Sequence, residues 1–227
     1  MIMKIEKVKN YEQLSSMAAD LIAKQIREKP DCILGLATGS SPVGAYAQLA
    51  KLNLDFSKVK TFNLDEYCGL SRDHEQSYYH FMMENLFKHV NISHDNVHFP
   101  TEEDCAGYDK AIAETGGIDL QLLGVGRNGH IGFNEPDEVF HNDTRVVELT
   151  KSTIDANARF FDKVEDVPKT AISMGIGTIM AAQKIVLVAG ADKADIIAEL
   201  EKPIVSPWNP VSILHYHPDC TIICVEK

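Results

Sequence analysis

Three stretches of the chain hold residue types able to do chemistry. Between Gly124 and Glu135, four glycines (Gly124, Gly126, Gly129, Gly132) surround Asn128, His130 and Glu135. Glycines let a backbone bend sharply or approach a ligand, and an imidazole titrating near neutrality can move protons between substrate atoms. Asp65 and Glu66 close a second stretch, at the end of the apolar run 59–64. A carboxylate there suits acid–base work, and since neighbours in an extended chain point opposite ways, only one of the two is expected to face a site. The third stretch is Thr38-Gly39-Ser40-Ser41 before Pro42. Its N–H groups and hydroxyls, at a strand-to-helix turn, could hold a phosphate; Ser41 could equally serve only as a helix cap. The turn lacks a P-loop lysine and the spacing of a dinucleotide fingerprint.

Two cations extend the list. Lys193 is expected in the first turn of a helix opened by Gly190, where the helix dipole disfavours a positive charge. An anionic ligand would reverse that cost, and Asp192 or Asp195 could also offset it. Arg159 lies near the end of an expected helix over 152–161, where a cation is favourable with or without a ligand.

The elements that would carry these groups follow from periodicity. Residues 10–29 read as a helix with Asn10 as N-cap, stopped by Pro30, and 32–37 as a buried strand. Helix 43–52, strand 59–64, helix 78–90, strand 97–99 and helix 102–115 come next, the last closed by Gly116-Gly117. Strand 119–125, a short strand at 145–149, strand 184–189, a helix to about Glu201, a short helix at 211–215 and a last strand at 220–225 complete the series. This alternation predicts a single α/β domain over 1–227, with a mainly parallel sheet and helices on both faces. Ligands of such sheets bind beyond the carboxyl ends of the strands, where all three stretches would lie.

Composition excludes several functions. The chain has 227 residues, 44% of them apolar and 24% charged, as in ordinary globular proteins. With 33 acidic against 22 basic residues the net charge is −11, and no basic cluster marks a surface for nucleic acid or anionic membrane. The five cysteines are scattered without a CxxC pair, so reduced thiols, no zinc site and a cytoplasmic setting are expected. A charged N-terminus and the lack of long apolar runs predict neither export nor a membrane span. His80, His89, His94 and His98 lack ligand spacing, and His215 and His217 have no partner with metal-site spacing.

With these residues in place, the sequence resembles the glucosamine-6-phosphate isomerase (deaminase) family of the sugar-phosphate-isomerase-like superfamily. The resemblance runs along nearly the whole chain, through LATGSSPVG (36–44), TFNLDEY (61–67), SYY (77–79), LGVGRNGHIGFNEP (123–136), HNDTR (141–145) and ARFF (158–161). It implies a Rossmann-like fold and cofactor-independent conversion of glucosamine 6-phosphate and water into fructose 6-phosphate and ammonia. By the same resemblance His130 opens the sugar ring, with Glu135 and Asn128 holding the imidazole, and Asp65 takes the C2 proton and returns one at C1. Thr38, Gly39, Ser40, Ser41, Arg159 and Lys193 match phosphate-contacting positions.

Two departures stand out. Asn128 replaces an aspartate found in many members, and Val147 and Glu148 stand where larger hexameric members present a lysine and a threonine to an activator phosphate. A monomer or homo-oligomer without allosteric activation is therefore expected. A 6-phosphogluconolactonase-like hydrolase would have no need of a base at C2, and a non-catalytic sugar-phosphate sensor would need an attached DNA-binding domain.

Overall fold

A computed structural model describes residues 3–151, 153–154, 158, 161, 163 and 166–226. Seven strands form the main sheet: β1 (Lys4–Val8), β2 (Ile33–Leu36), β3 (Lys60–Asn63), β5 (Val97–His98), β6 (Leu120–Leu123), β9 (Ile185–Ala189) and β10 (Cys220–Val225). Their order is β1-β10-β9-β6-β2-β3-β5, and every pairing is parallel. The chain winds outward from β2 through β3 to β5, and from β6 through β9 to β10. The order therefore reverses between β2 and β6, and the loops leaving those two strands diverge to open a crevice.

Helices cover both faces. On one lie α1 (Tyr11–Glu28), α2 (Val43–Leu49) and α3 (Tyr78–Asn85), which bury Leu14, Ile22, Tyr46 and Met82 against Leu34, Leu36 and Leu122. On the other lie α4 (Cys105–Glu114), α5 (Ile176–Met180) and α6 (Ala194–Glu199), packed on Phe62, Leu123 and Leu187. Burying side chains such as Leu14 and Ile22 stabilises by about 1.5–3 kcal/mol each. Helix α1 begins as expected: the Asn10 side chain accepts the Gln13 N–H at 2.9 Å, while Gln13 reaches back to the Lys9 N–H at 3.0 Å.

Several boundaries differ from the sequence reading. β1 was not expected, because Lys4, Glu6 and Lys7 break its apolar pattern; as an edge strand it needs only its β10 side covered. Helix α4 starts at Cys105 and not at Glu102, since Asp104 accepts the Gly107 N–H at 2.8 Å and so sets the cap. α2 starts at Val43 with Pro42 in the cap position, and no side chain caps it, so Ser41 does not play the purely structural part open to it. The helix expected at 78–90 ends at Asn85 and continues as a separate 3-10 turn, Phe87–His89.

A second sheet was also unforeseen. β4 (Asp65–Tyr67), β8 (Thr170–Ser173) and β7 (Arg145–Glu148) form an antiparallel sheet in the order β4-β8-β7. It stands at the carboxyl end of β3 and makes Asp65 part of a strand instead of a free loop. The helix expected over 152–161, Arg159 included, lies largely outside the described residues.

Candidate active site

Four strand ends build one cleft of about 1310 Å³. The turn after β2 supplies Thr38, Gly39, Ser40 and Ser41, the segment after β3 supplies Asp65, the loop after β6 supplies Asn128 and His130, and the turn after β9 supplies Asp192 and Lys193. All the site residues expected from the sequence meet here except Glu135, which stands behind His130, and Arg159, which falls outside the described residues. An aromatic wall of Tyr67, Tyr78, Phe81, Phe133 and Phe161, which the sequence reading did not assign, closes one side.

The turn at 38–41 is braced from helix α1. The Tyr11 hydroxyl donates to Ser40 O at 2.8 Å and accepts the Gly44 N–H at 2.9 Å. Gly39 has φ 95°, in the left-handed region that favours glycine. Thr38 and Ser41 are half-buried, Gly39 and Ser40 exposed, as a surface that receives a small anion would be.

Asp65 is 7% exposed, and its Oδ1 is buried without a hydrogen-bond partner among the described residues. Burial, helped by the negative charge of Glu66, pushes its pKa up to about 8. The expectation that only one of the pair faces the site holds: Asp65 lines the cleft, while Glu66 turns away and accepts the N–H groups of Tyr67, Tyr78 and Tyr79, each at 2.8 Å.

The loop after β6 owes its shape to close backbone approaches. At Gly126 any Cβ would fall 2.2–2.4 Å from ring atoms of His130, so the imidazole lies directly over that glycine. Gly129, at φ 85°, leaves room for the Asn209 side chain, and its carbonyl accepts the Val211 N–H at 2.8 Å. Further along, Ser173 Oγ on β8 accepts the Phe133 N–H at 3.0 Å, and buried Asn134 donates to Ile131 O and Met174 O while accepting from Arg145 at 2.9 Å. The small sheet thus pins the far end of the loop.

Glu135 is the hub of the loop. Its Oε1 lies 3.3 Å from His130 Nδ1 and accepts from Thr153 Oγ1 at 2.8 Å, while Oε2 accepts from Asn128 Nδ2 at 2.5 Å. Burial pushes the Glu135 pKa up, but the contact and charge of His130, then Asn128 and Thr153, outweigh it and bring it down to about 2. Asn128 does not reach the imidazole. It holds Glu135 through its amide and accepts the His130 backbone N–H at 3.3 Å, which corrects the expectation that it holds the imidazole directly. Thr153 is a contact that sequence reasoning missed, since nothing in its neighbourhood marks a threonine as a carboxylate donor.

At the mouth Asp192 stands between two cations, 3.3 Å from Lys193 Nζ and 3.6 Å from the exposed Arg127. Lys193 ends a 3-10 turn, Ala191–Lys193, and occupies the cap position of α6 instead of its first turn. Among the described residues no group of three or more histidine, cysteine, aspartate or glutamate side chains is arranged to hold a metal ion, and no helix is long and apolar enough to cross a membrane.

Residues 6–222 match the family described as glucosamine-6-phosphate isomerases/6-phosphogluconolactonase. The chain belongs to this family. A glucosamine-6-phosphate deaminase from Thermoanaerobacter pseudethanolicus is 53% identical over 97% of this chain and 92% of its own length. One from Lachnoclostridium phytofermentans is 51% identical over 98% of this chain and 99% of its own length. A solved structure of a monomeric glucosamine-6-phosphate deaminase superposes with a TM-score of 0.95 at 42% identity, covering 98% of this chain and 97% of the other. A 6-phosphogluconolactonase from Thermotoga maritima, at 18% identity and a TM-score of 0.74 over 99% of this chain and 100% of the other, shares the fold.

Proposed function

We propose that this chain is a glucosamine-6-phosphate deaminase, converting glucosamine 6-phosphate and water into fructose 6-phosphate and ammonia. The observation that carries the reading is Asp65, a buried carboxylate whose Oδ1 has no hydrogen-bond partner among the described residues and whose pKa is pushed up to about 8, in the same cleft as His130 and the turn at 38–41. Full-length relatives at about half identity carry this activity by name.

In this reading the phosphate rests on the N–H groups and hydroxyls of Thr38–Ser41, with Lys193 and Arg159 as its cations; binding displaces Asp192 from Lys193. His130 moves the proton between O5 and O1 as the ring opens. Its Nδ1 lies 3.3 Å from Glu135, close enough for charge attraction though without the alignment of a hydrogen bond, so Nε2 is the nitrogen for the sugar, and Glu135, kept ionised by its donors, stabilises the imidazolium that forms. Asp65 then takes the C2 proton. The resulting enolamine is reprotonated at C1, water adds at C2, and ammonia leaves as the C2 carbonyl of fructose 6-phosphate forms. A base with its pKa near the working pH is matched to this task.

The substrate is a small sugar phosphate, and we read residues 1–227 as one domain acting in the cytoplasm. A monomer without allosteric activation is the assembly we propose, in keeping with the structural relative described as monomeric. The test is a coupled assay that measures ammonia and fructose 6-phosphate together, with 6-phosphogluconolactone as the competing substrate. Stoichiometric release of both products from glucosamine 6-phosphate is expected; lactone hydrolysis without ammonia release would overturn the assignment.

A further inference from the structure

Glu66 is a buried carboxylate that the reaction leaves unused. It is 8% exposed on β4, next to Asp65 and on the opposite face of the strand. Its Oε1 accepts the N–H groups of Tyr67 and Tyr78, and its Oε2 that of Tyr79. Tyr78 and Tyr79 are the first two residues of α3, whose third N–H, from His80, is taken by Ser77 Oγ at 3.0 Å. Glu66 therefore satisfies two orphan donors at the start of that helix, the end that favours negative charge.

Helix α3 is a wall of the cleft: Ser77, Tyr78 and Phe81 line it, and Tyr78 stacks on Phe133 of the histidine loop at 6.1 Å and 10°. The strand bearing Asp65 and the wall facing it are thus joined through one side chain. We propose that Glu66 is a positioning residue for Asp65, tethering its strand to α3 and fixing a negative charge beside it. The inference rests on reading Asp65 as the C2 base.

The surroundings of both carboxylates fit this role. Burial pushes the Glu66 pKa up, three backbone N–H groups pull it down, and Arg72 adds a smaller pull. Asp65 feels Glu66 as its charged neighbour, while the other titratable groups that sense it, Tyr46, Tyr67, Tyr78 and Tyr108, are phenols held neutral by burial. Among the described residues no cation acts on Asp65. Removing the Glu66 charge therefore removes the opposing charge that Asp65 meets on ionising.

The experiment compares kcat/KM against pH for the wild-type chain, Glu66→Gln and Glu66→Asp. Because Asp65 must be ionised to accept a proton, the wild-type curve rises through its titration. In Glu66→Gln the rise is expected to move to lower pH by roughly half a unit or more. KM should rise about threefold to tenfold, because an amide NH2 then faces the Tyr79 N–H. Glu66→Asp keeps the charge but is too short for α3, so the curve should stay in place while KM rises. A uniform loss of kcat with no shift in either variant would show a merely structural role and overturn the inference. Should Glu66→Gln fail to fold, an unchanged KM in Glu66→Asp would overturn the tether. Asp65→Asn separates the two readings: if it keeps full activity, the base assignment fails; if it is inactive while Glu66→Gln matches the wild type, only the Glu66 inference fails.

Discussion

Two carboxylates, Asp119 and Asp65, are buried at opposite ends of the same sheet, 2% and 7% exposed. Asp119, entering β6 at its amino end, accepts from Lys29 Nζ with both oxygens at 2.9 Å and from the Ile33 N–H at 2.8 Å. Asp65, beyond the carboxyl end of β3, has an oxygen sealed from water with no donor among the described residues. Burial alone does not separate structure from chemistry; partnership does. A carboxylate given a cation and an N–H serves stability, whereas one denied both holds its proton to a higher pH and can return to that state during a reaction.

Breaking the structural member should have the largest effect on the fold. Asp119→Ala is expected to cost about 2–3 kcal/mol, because it strips the Ile33 N–H and Lys29 of their charged acceptor. Thermal unfolding would read this as a lower Tm, with kcat/KM per folded molecule unchanged. Loss of activity in the folded fraction would erase the contrast.

The catalytic member should act on stability with the opposite sign. With its pKa raised to about 8, folded Asp65 keeps a proton that the unfolded chain has released from about pH 4 upward. Its contribution is present at low pH and is lost as pH climbs through 8, at up to about 1.4 kcal/mol per pH unit. Asp65→Asn has no such loss, so its Tm should gain on the wild type between pH 5 and pH 8. Parallel Tm curves would show that Asp65 ionises freely in the fold.

A smaller effect would sharpen the comparison within the site. Asn128→Asp places a carboxylate where an amide now donates to Glu135 at 2.5 Å. Two facing carboxylates resist ionising together, so Glu135 should lose its charge at a higher pH, and the acid side of the kcat/KM profile should move up while activity survives. A profile identical to the wild type would mean that the Asn128 amide is not what holds Glu135.

Much of this site could be read in the sequence because strand ends announce themselves. An apolar run that breaks into Thr38-Gly-Ser-Ser41, or into Gly124 and its following glycines, has few places to be except the carboxyl edge of a buried parallel sheet. The reversal of strand order between β2 and β6 then brings those two loops together. What could not be read depends on contacts distant in sequence. β4 is three residues long and separated from β3 only by Leu64, so its pairing with β8, more than a hundred residues on, leaves no periodic trace. The family resemblance sets Asn128 on the imidazole, but its amide turns to Glu135, seven residues away, a side-chain choice that no pattern of residue types records. The opposed faces of Asp65 and Glu66 were legible, because alternation along an extended chain is local.

The central claim is that Asp65 removes the C2 proton. It is tested most directly by ammonia release from glucosamine 6-phosphate carrying hydrogen or deuterium at C2, with the wild type and Asp65→Asn side by side. The account predicts slower wild-type turnover of the deuterated sugar and, for a folded Asp65→Asn protein that still binds substrate, a loss of roughly 10²–10⁴-fold on either. An Asp65→Asn protein that releases ammonia at the wild-type rate would contradict it.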